Sequence, residues 1–314
     1  MKKLIFTLIL ALVAGFSYTQ DIKTVASGLD KSKTETVADT TPKHWKLGGF
    51  GSLTINQAAY SNWASGGTNS LGATGMLNLK LRYSKNKHAW SNLLDAAYGF
   101  QFLGKTEAAK FNKTDDKLEF TTAYSYEIAP NKKWYLTVLV NFRTQFTAGY
   151  NSPNDSVPIS DFMSPGYLVA GLGITYRPAN FFTLYVSPGS GRFTFVMNDT
   201  LSKQGAFGVD KGKHLRSELG PYVRADLNKD LAKNINITSS LELFSDYFHD
   251  FGCIDVNWNV LLTLKVNKWL AAIVNCQLIY DNDILIQTNP PEPAYGPRTQ
   301  FKEIIGVGLS YKFH

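Results

Sequence analysis

The sequence predicts an all-β fold, a transmembrane antiparallel β-barrel of about 12 strands with short periplasmic turns and longer extracellular loops. Three observations predict it. Apolar and polar residues alternate in about a dozen runs from Trp45 onward, the connections between runs alternate short and long, and aromatic residues gather at the short-turn end. In an extended chain, alternation puts one set of side chains on each face of the sheet. A bilayer admits such a sheet only when it closes on itself, because an open edge would leave backbone groups without partners in lipid.

The N-terminus comes first. Lys2 and Lys3 precede an apolar run from Leu4 to Phe16 and then small and polar residues, a run too short to span a bilayer as a helix. Residues 1–20 therefore read as a secretory signal peptide, with no cysteine nearby for a lipid anchor. Residues 21–43 are polar, with little to bury, and read as a flexible periplasmic lead-in. The barrel takes residues 44–314.

Its expected lipid-facing sets run, in order, from Trp45 to Ile55, Leu71 to Tyr83, Trp90 to Phe102, Leu118 to Ile128, Trp134 to Phe142 and Leu168 to Tyr176. Phe182, Leu184 and Val186 form a seventh that Ser187, Pro188 and Gly189 interrupt. Leu215 to Leu227, Ile235 to Tyr247, Ile254 to Leu264 and Leu270 to Tyr280 follow. The last strand, Ile304 to Phe313, alternates Ile305, Val307, Leu309, Tyr311 and Phe313 with Gly306, Gly308, Ser310 and Lys312. Its terminal aromatic is the feature by which barrel assembly machinery would take up the chain, although His314 follows it.

Short turns fall near residues 84–88, 129–132, 177–180, 229–233 and 267–268. Longer ones fall near 60–68, 104–115, 148–164, 197–212 and 282–299, with an exception at 249–252. Trp45, Tyr83, Trp90, Tyr126, Trp134, Tyr176, Phe182, Tyr311 and Phe313 point outward at the short-turn end, as an interfacial girdle would. Of the formal net charge of +7, Lys2 and Lys3 belong to the expected signal peptide, and the remaining excess sits largely in turns such as Ser84 to Lys87 and Asn131 to Lys133, so no nucleic-acid partner is expected. Cys253 and Cys276 lie on consecutive strands but out of register by roughly 16 Å, which leaves two free thiols.

Several stretches resemble the DUF3078 family of uncharacterised outer-membrane proteins from Bacteroidota-type bacteria. They include NWASGG (Asn62 to Gly67), TQFTAGY (Thr144 to Tyr150), SPGSGRFTFVMNDTLS (Ser187 to Ser202), IDVNWNV (Ile254 to Val260) and QFKEIIGVGLSYKF (Gln300 to Phe313). The resemblance implies an outer-membrane location and a barrel architecture. It carries over no catalytic residue.

The inward face holds the candidate chemistry. Asp246 and Asp255 should lie nearly opposite each other, with Asp281 and Asp283 on the next strand at the same extracellular end. Such a cluster needs compensation, either from a bound Ca²⁺ or from Arg298, Lys211 or Lys213. Arg143 and Arg216 would form a basic wall facing it, and the field between the walls would suit passage of small polar solutes. Alternatively these charges pair with one another and fill the bore. Trp63 is a candidate for loop recognition or an interfacial anchor. The expected function is a passive pore, with a plugged structural barrel that binds partners through its loops as the alternative. A lipid hydrolase built on His214 or His249 with Ser217 or Ser245 has less support, because both serines take the lipid-facing parity and no nucleophile motif surrounds them. No catalytic residue is assigned. SPGSGR resembles a phosphate cradle in composition only, since no helix follows a strand there.

Overall fold

The computed structural model describes residues 44–58, 69–104, 110–151, 154–249, 251–288 and 294–313. Residues 1–43, expected to be a signal peptide and lead-in, lie outside them, as do Trp63 and His314. The chain runs through β1 (Trp45–Ala58), β2 (Ser70–Lys85), β3 (His88–Leu103), β4 (Lys110–Glu127) and β5 (Trp134–Thr144). A hairpin of β6 (Gly149–Asn151) and β7 (Asn154–Ser160) follows, then β8 (Gly166–Ala179), β9 (Phe182–Phe195) and helix α1 (Asp199–Gln204). After these come β10 (Leu215–Ala232), β11 (Ile235–Phe244), β12 (Asp255–Lys265) and β13 (Leu270–Tyr280). A second hairpin, β14 (Leu285–Thr288) with β15 (Ala294–Pro297), leads to β16 (Gln300–Phe313).

The twelve strands other than the two hairpins form one closed antiparallel barrel. The C-terminal strand closes it, pairing with β1 at Leu53↔Leu309 and with β13 at Leu270↔Leu309. Its inward glycines let the seam fit. A Cβ on Gly308 would lie 2.2 Å from the Leu53 carbonyl oxygen, and one on Gly306 would lie 2.4 Å from Thr54 Cγ2.

Exposure follows the alternation. Leu47, Ile55 and Ile305 stand 59%, 61% and 63% open, while the inward Thr54 is buried. An apolar exterior around a closed sheet is what hydrocarbon demands of a spanning structure. At the short-turn end, Trp45 packs on Tyr83 at 5.0 Å, Trp134 on Tyr176 at 4.4 Å and Trp269 on Tyr311 at 5.7 Å between ring centroids.

Strand β9 does not stop at Ser187. It continues to Phe195, and its register against β10 shifts between Gly220 and Tyr222. Proline lacks an N–H to donate, and a bulge is where a sheet tolerates that loss. The Pro188 carbonyl instead accepts from the Tyr247 hydroxyl at 2.6 Å. This continuation brings Arg192 into the lumen.

Inside, Leu139, Val169, Tyr185, Tyr222 and Phe244 pack into a cluster along one wall. Val196, Leu201 and Val209 form a second cluster under α1, whose Asn198 cap accepts from the Thr200 and Leu201 N–H groups. Both cysteines are free, and Cys276 faces Val260 across the ladder.

Candidate functional site: a charged lumen

Two tiers of ion pairs, and a separate pair of Lys302 with Asp115 at 2.8 Å, cross the bore. Arg192 centres the tier toward the long loops. Its Nε and Nη2 donate to the two Glu218 oxygens at 2.8 and 2.6 Å, and its Nη1 donates to Asp255 at 2.5 Å. Asp283 and Asp281 stand at 3.7 and 3.9 Å, and the guanidinium lies 4.3 Å over the Phe244 ring. Arg216 adds pairs to Asp283 at 2.7 Å and Glu218 at 3.3 Å. Through its Nη1 it also donates to the Gly208 carbonyl at 3.0 Å, which ties down the connection carrying α1. Gly208 has φ +77°, and a Cβ there would lie 2.6 Å from the same guanidinium, so the close approach needs glycine.

The second tier centres on Arg224, which is almost fully buried. It meets Glu242 at 2.5 Å, Asp226 at 3.0 Å and Glu119 at 3.6 Å. Arg143 reaches across from β5 to Glu242 at 3.3 Å while stacking on Tyr167 at 5.1 Å. Asn257 donates to Glu242, and Asn141 and Lys117 satisfy Glu119. Buried ion pairs add little net stability over an apolar core, but removing one partner is expensive because the other stays buried and charged.

The expected site residues separate as follows. Asp255, Asp281 and Asp283 converge, with one carboxylate oxygen from each within 4.8 Å of the others. Asp246 does not join them. The β11 ladder ends with Phe244 opposite Asp255, so Asp246 leaves the sheet and accepts from the Phe248 N–H at 3.1 Å and the His249 ring at 2.8 Å. The compensating charge is Arg192, which lies past the Ser187–Gly189 interruption and is not among the candidate residues the sequence points to. None of Arg298, Lys211 or Lys213 forms an ion pair with these carboxylates among the described residues. Arg143 and Arg216 do not form a separate basic wall, because each is paired within a tier. The three carboxylates do not suit Ca²⁺ as they stand, since guanidinium nitrogens already occupy the positions a cation would take.

The histidines do not meet the serines. His214 Nδ1 bonds to the Val196 carbonyl at 2.7 Å, and Ser217 points outward. Ser245, expected on the lipid side, is buried and accepts from the Gly252 N–H, because the strand parity lapses past Phe244.

Asp281 lies just beyond β13. Burial pushes its carboxyl up to about 6, and the neighbouring Asp255 carboxylate adds to the rise against the pull of Arg192. A raised carboxyl favours the protonated fold, so this contribution is full below the ordinary aspartate range and is lost as pH rises through about 6. Asp281→Asn keeps an acceptor for the Asp283 N–H. That variant should exceed the parent protein in unfolding free energy by up to about 3 kcal/mol at pH 7.5 and match it near pH 4. Urea titrations at the two pH values check this, and equal differences at both would contradict it.

Below the second tier lies a cavity of about 760 Å³. Glu119, Arg224 and Glu242 are among its lining, which extends past them to Asp115 and Lys302 and, at the other end, to the short-turn residues Asn86, Lys132 and Asn180. Asn78, Asn92, Asn259, Asn275 and Gln277 give its walls a polar, water-compatible surface.

Residues 55–150 match the model of a family described as "Protein of unknown function (DUF3078)". No curated protein matches the chain. Among solved structures it is similar to an outer membrane channel from Pseudomonas putida F1, with 11% identity over 85% of this chain and 94% of that one and a TM-score of 0.37. It is also similar to the NanC porin, at 7% identity over 83% and 98% of the two chains and a TM-score of 0.35. The translocator domain of the autotransporter NalP from Neisseria meningitidis matches at 11% identity over 93% of each chain, with a TM-score of 0.33. At this distance none of them assigns a solute, a partner or a site to this chain.

Proposed function

We propose, for a chain whose residues 55–150 match the DUF3078 family model, the role of a passive outer-membrane channel for small polar solutes, gated by the two ion-pair tiers. One observation carries this reading. A cavity with many charged and amide side chains in its lining lies inside a closed, externally apolar barrel and reaches its short-turn end, and among the described residues it is ion-paired side chains, not a separate folded domain, that bridge the bore. Side chains that bridge a lumen can part without breaking the sheet, whereas an apolar filling cannot open to water at comparable cost. The apolar exterior, the aromatic girdle and the alternation of short and long connections support the outer membrane as its location, with lipid as the partner of its outer face.

The test is single-channel conductance of the refolded mature protein in a planar bilayer. Discrete ohmic steps are expected, with ion selectivity that moves on Arg143→Ala and on Asp255→Ala. Silence from protein that still shows the heat-modifiable migration of a folded barrel overturns the channel. A second reading would then stand, that of a closed barrel acting through its loops. Its support is the tie between Arg216 and the Gly208 carbonyl, which draws the α1 connection onto the first tier.

A further inference from the structure

The charges of the tiers are balanced by partners, whereas at the cavity's other end basic residues outnumber carboxylates. Toward the short turns the cavity is lined by Lys80, Arg82, Lys87, Lys132, Lys133 and Arg177. The carboxylates lining the same end are Glu127 and Asp226, and Asp226 is committed to Arg224. Lys80 answers Asp95 higher up the wall. The end that meets water on the short-turn side is therefore strongly cationic.

Within it, Arg177 is held in an unusual way. Among the described residues it has no carboxylate partner. Its guanidinium lies 4.7 Å over the Tyr135 ring, and that ring is pinned because the Tyr135 hydroxyl donates to the Lys132 carbonyl at 2.8 Å. Nη2 donates to Ser125 Oγ at 3.3 Å. Ser125 is the end of a hydroxyl ladder in which Thr175 donates to Thr137 at 2.7 Å and Ser125 bonds Thr137 at 2.9 Å. Arg82, on β2, lines the same cavity and bears on Arg177 as a like charge. Two guanidinium groups in a part-enclosed, polar cavity repel each other unless an anion lies between them, and a guanidinium fork is the side-chain group best matched to carboxylate and phosphate oxygens.

We infer that the short-turn half of the cavity is a binding site for small, multiply charged anions bearing carboxylate or phosphate oxygens, with Arg177 and Arg82 as its central ligands. Lys87, Lys132 and Lys133 at the rim raise the local anion concentration and speed entry without fixing geometry. Tyr135 and Ser125 are positioning residues, which hold the Arg177 fork toward the cavity. This names the solute class for the proposed channel and so rests on that reading.

The experiment is calorimetric titration of the refolded mature protein in micelles with inorganic phosphate at low ionic strength, repeated with succinate and with chloride. Saturable phosphate binding is expected, competed by succinate and not by chloride at matched ionic strength. Arg177→Gln and Arg82→Gln should each weaken it about tenfold, the loss of one charge-assisted pair. Lys133→Gln should weaken it less and leave its specificity intact. Heat-modifiable migration on gels verifies that each variant is a closed barrel. Unchanged affinity in both arginine variants, or equal displacement by chloride, overturns the site. Because the readout needs no current, the two readings fail separately. Phosphate binding by a silent barrel removes the channel alone, and conductance without saturable phosphate binding removes the site alone.

Discussion

Arg192→Ala is expected to lower the unfolding free energy by about 3–5 kcal/mol, the range for stripping one partner from a buried ion cluster. The removed guanidinium answers Glu218, Asp255, Asp281 and Asp283 together, and it covers the Phe244 ring. Four carboxylates then share the mouth of the bore with Arg216 alone. The loss has a distinctive chemical consequence. Asp255, Asp281 and Asp283 already converge closely enough for one oxygen each to reach a single cation, and three carboxylates suit Ca²⁺ when bidentate contacts, water or backbone carbonyls complete its six to eight oxygens. Millimolar calcium should therefore restore part of the stability of Arg192→Ala while leaving the parent protein unchanged. Urea unfolding of vesicle-reconstituted protein with calcium or with chelator measures both effects. A variant indifferent to calcium, or a parent protein stabilised by it, would show that Arg192 is not what holds the place of the cation.

The contrast between Arg192 and Asp246 shows what a sequence of this kind discloses. Strand number, the outward sets and the two connection lengths follow from period-two alternation, which survives any local irregularity because every turn resets it. Inward partners depend on register, and register depends on bulges that leave little trace in composition. Pro188 and Gly189 read as a break in β9, whereas the sheet absorbs them opposite Pro221 and carries Arg192 inward four residues after Pro188. Counting alternate residues onward from Gly189 as a bulge position would have found it. Asp246 errs the other way. Parity was extended past Phe244, where the ladder ends and the backbone turns toward Phe248 and His249.

The acidic triad was legible because Asp255 begins β12 and Asp281 and Asp283 follow β13 on the adjacent strand end, so local register alone brings them together. Arg143 with Glu242 was not. Its partners are 99 residues apart on strands separated around the barrel, and only closure of the circle brings them across the bore. The expectation of opposed acidic and basic walls failed for the same reason. A narrow lumen places every inward charge within reach of one of opposite sign, and in low dielectric the pair is far more favourable than two separated walls.

Arg224→Ala tests whether the second tier is the gate. The side chain bridges the lumen to Glu119 and Glu242, and its removal should leave those two carboxylates facing a widened passage. Conductance should rise, and selectivity should move toward cations, since the constriction loses one positive charge and is left with a net negative one even with Arg143 and Lys117 in place. Stability should fall by about 3–5 kcal/mol, and combining the change with Glu242→Gln should recover about 1–3 kcal/mol of that loss, the coupling expected of residues in one network. The direction of the selectivity shift decides the matter. Arg177→Gln, at the far end of the same cavity, also removes one positive charge but leaves the tier intact, so it should reduce anion preference without raising conductance. If Arg224→Ala and Arg177→Gln behave alike, the tier contributes only its charge to the lumen. If only Arg224→Ala opens the bore, then the carboxylate and guanidinium side chains that stitch β4, β10 and β11 together are also the barrier that a solute must part.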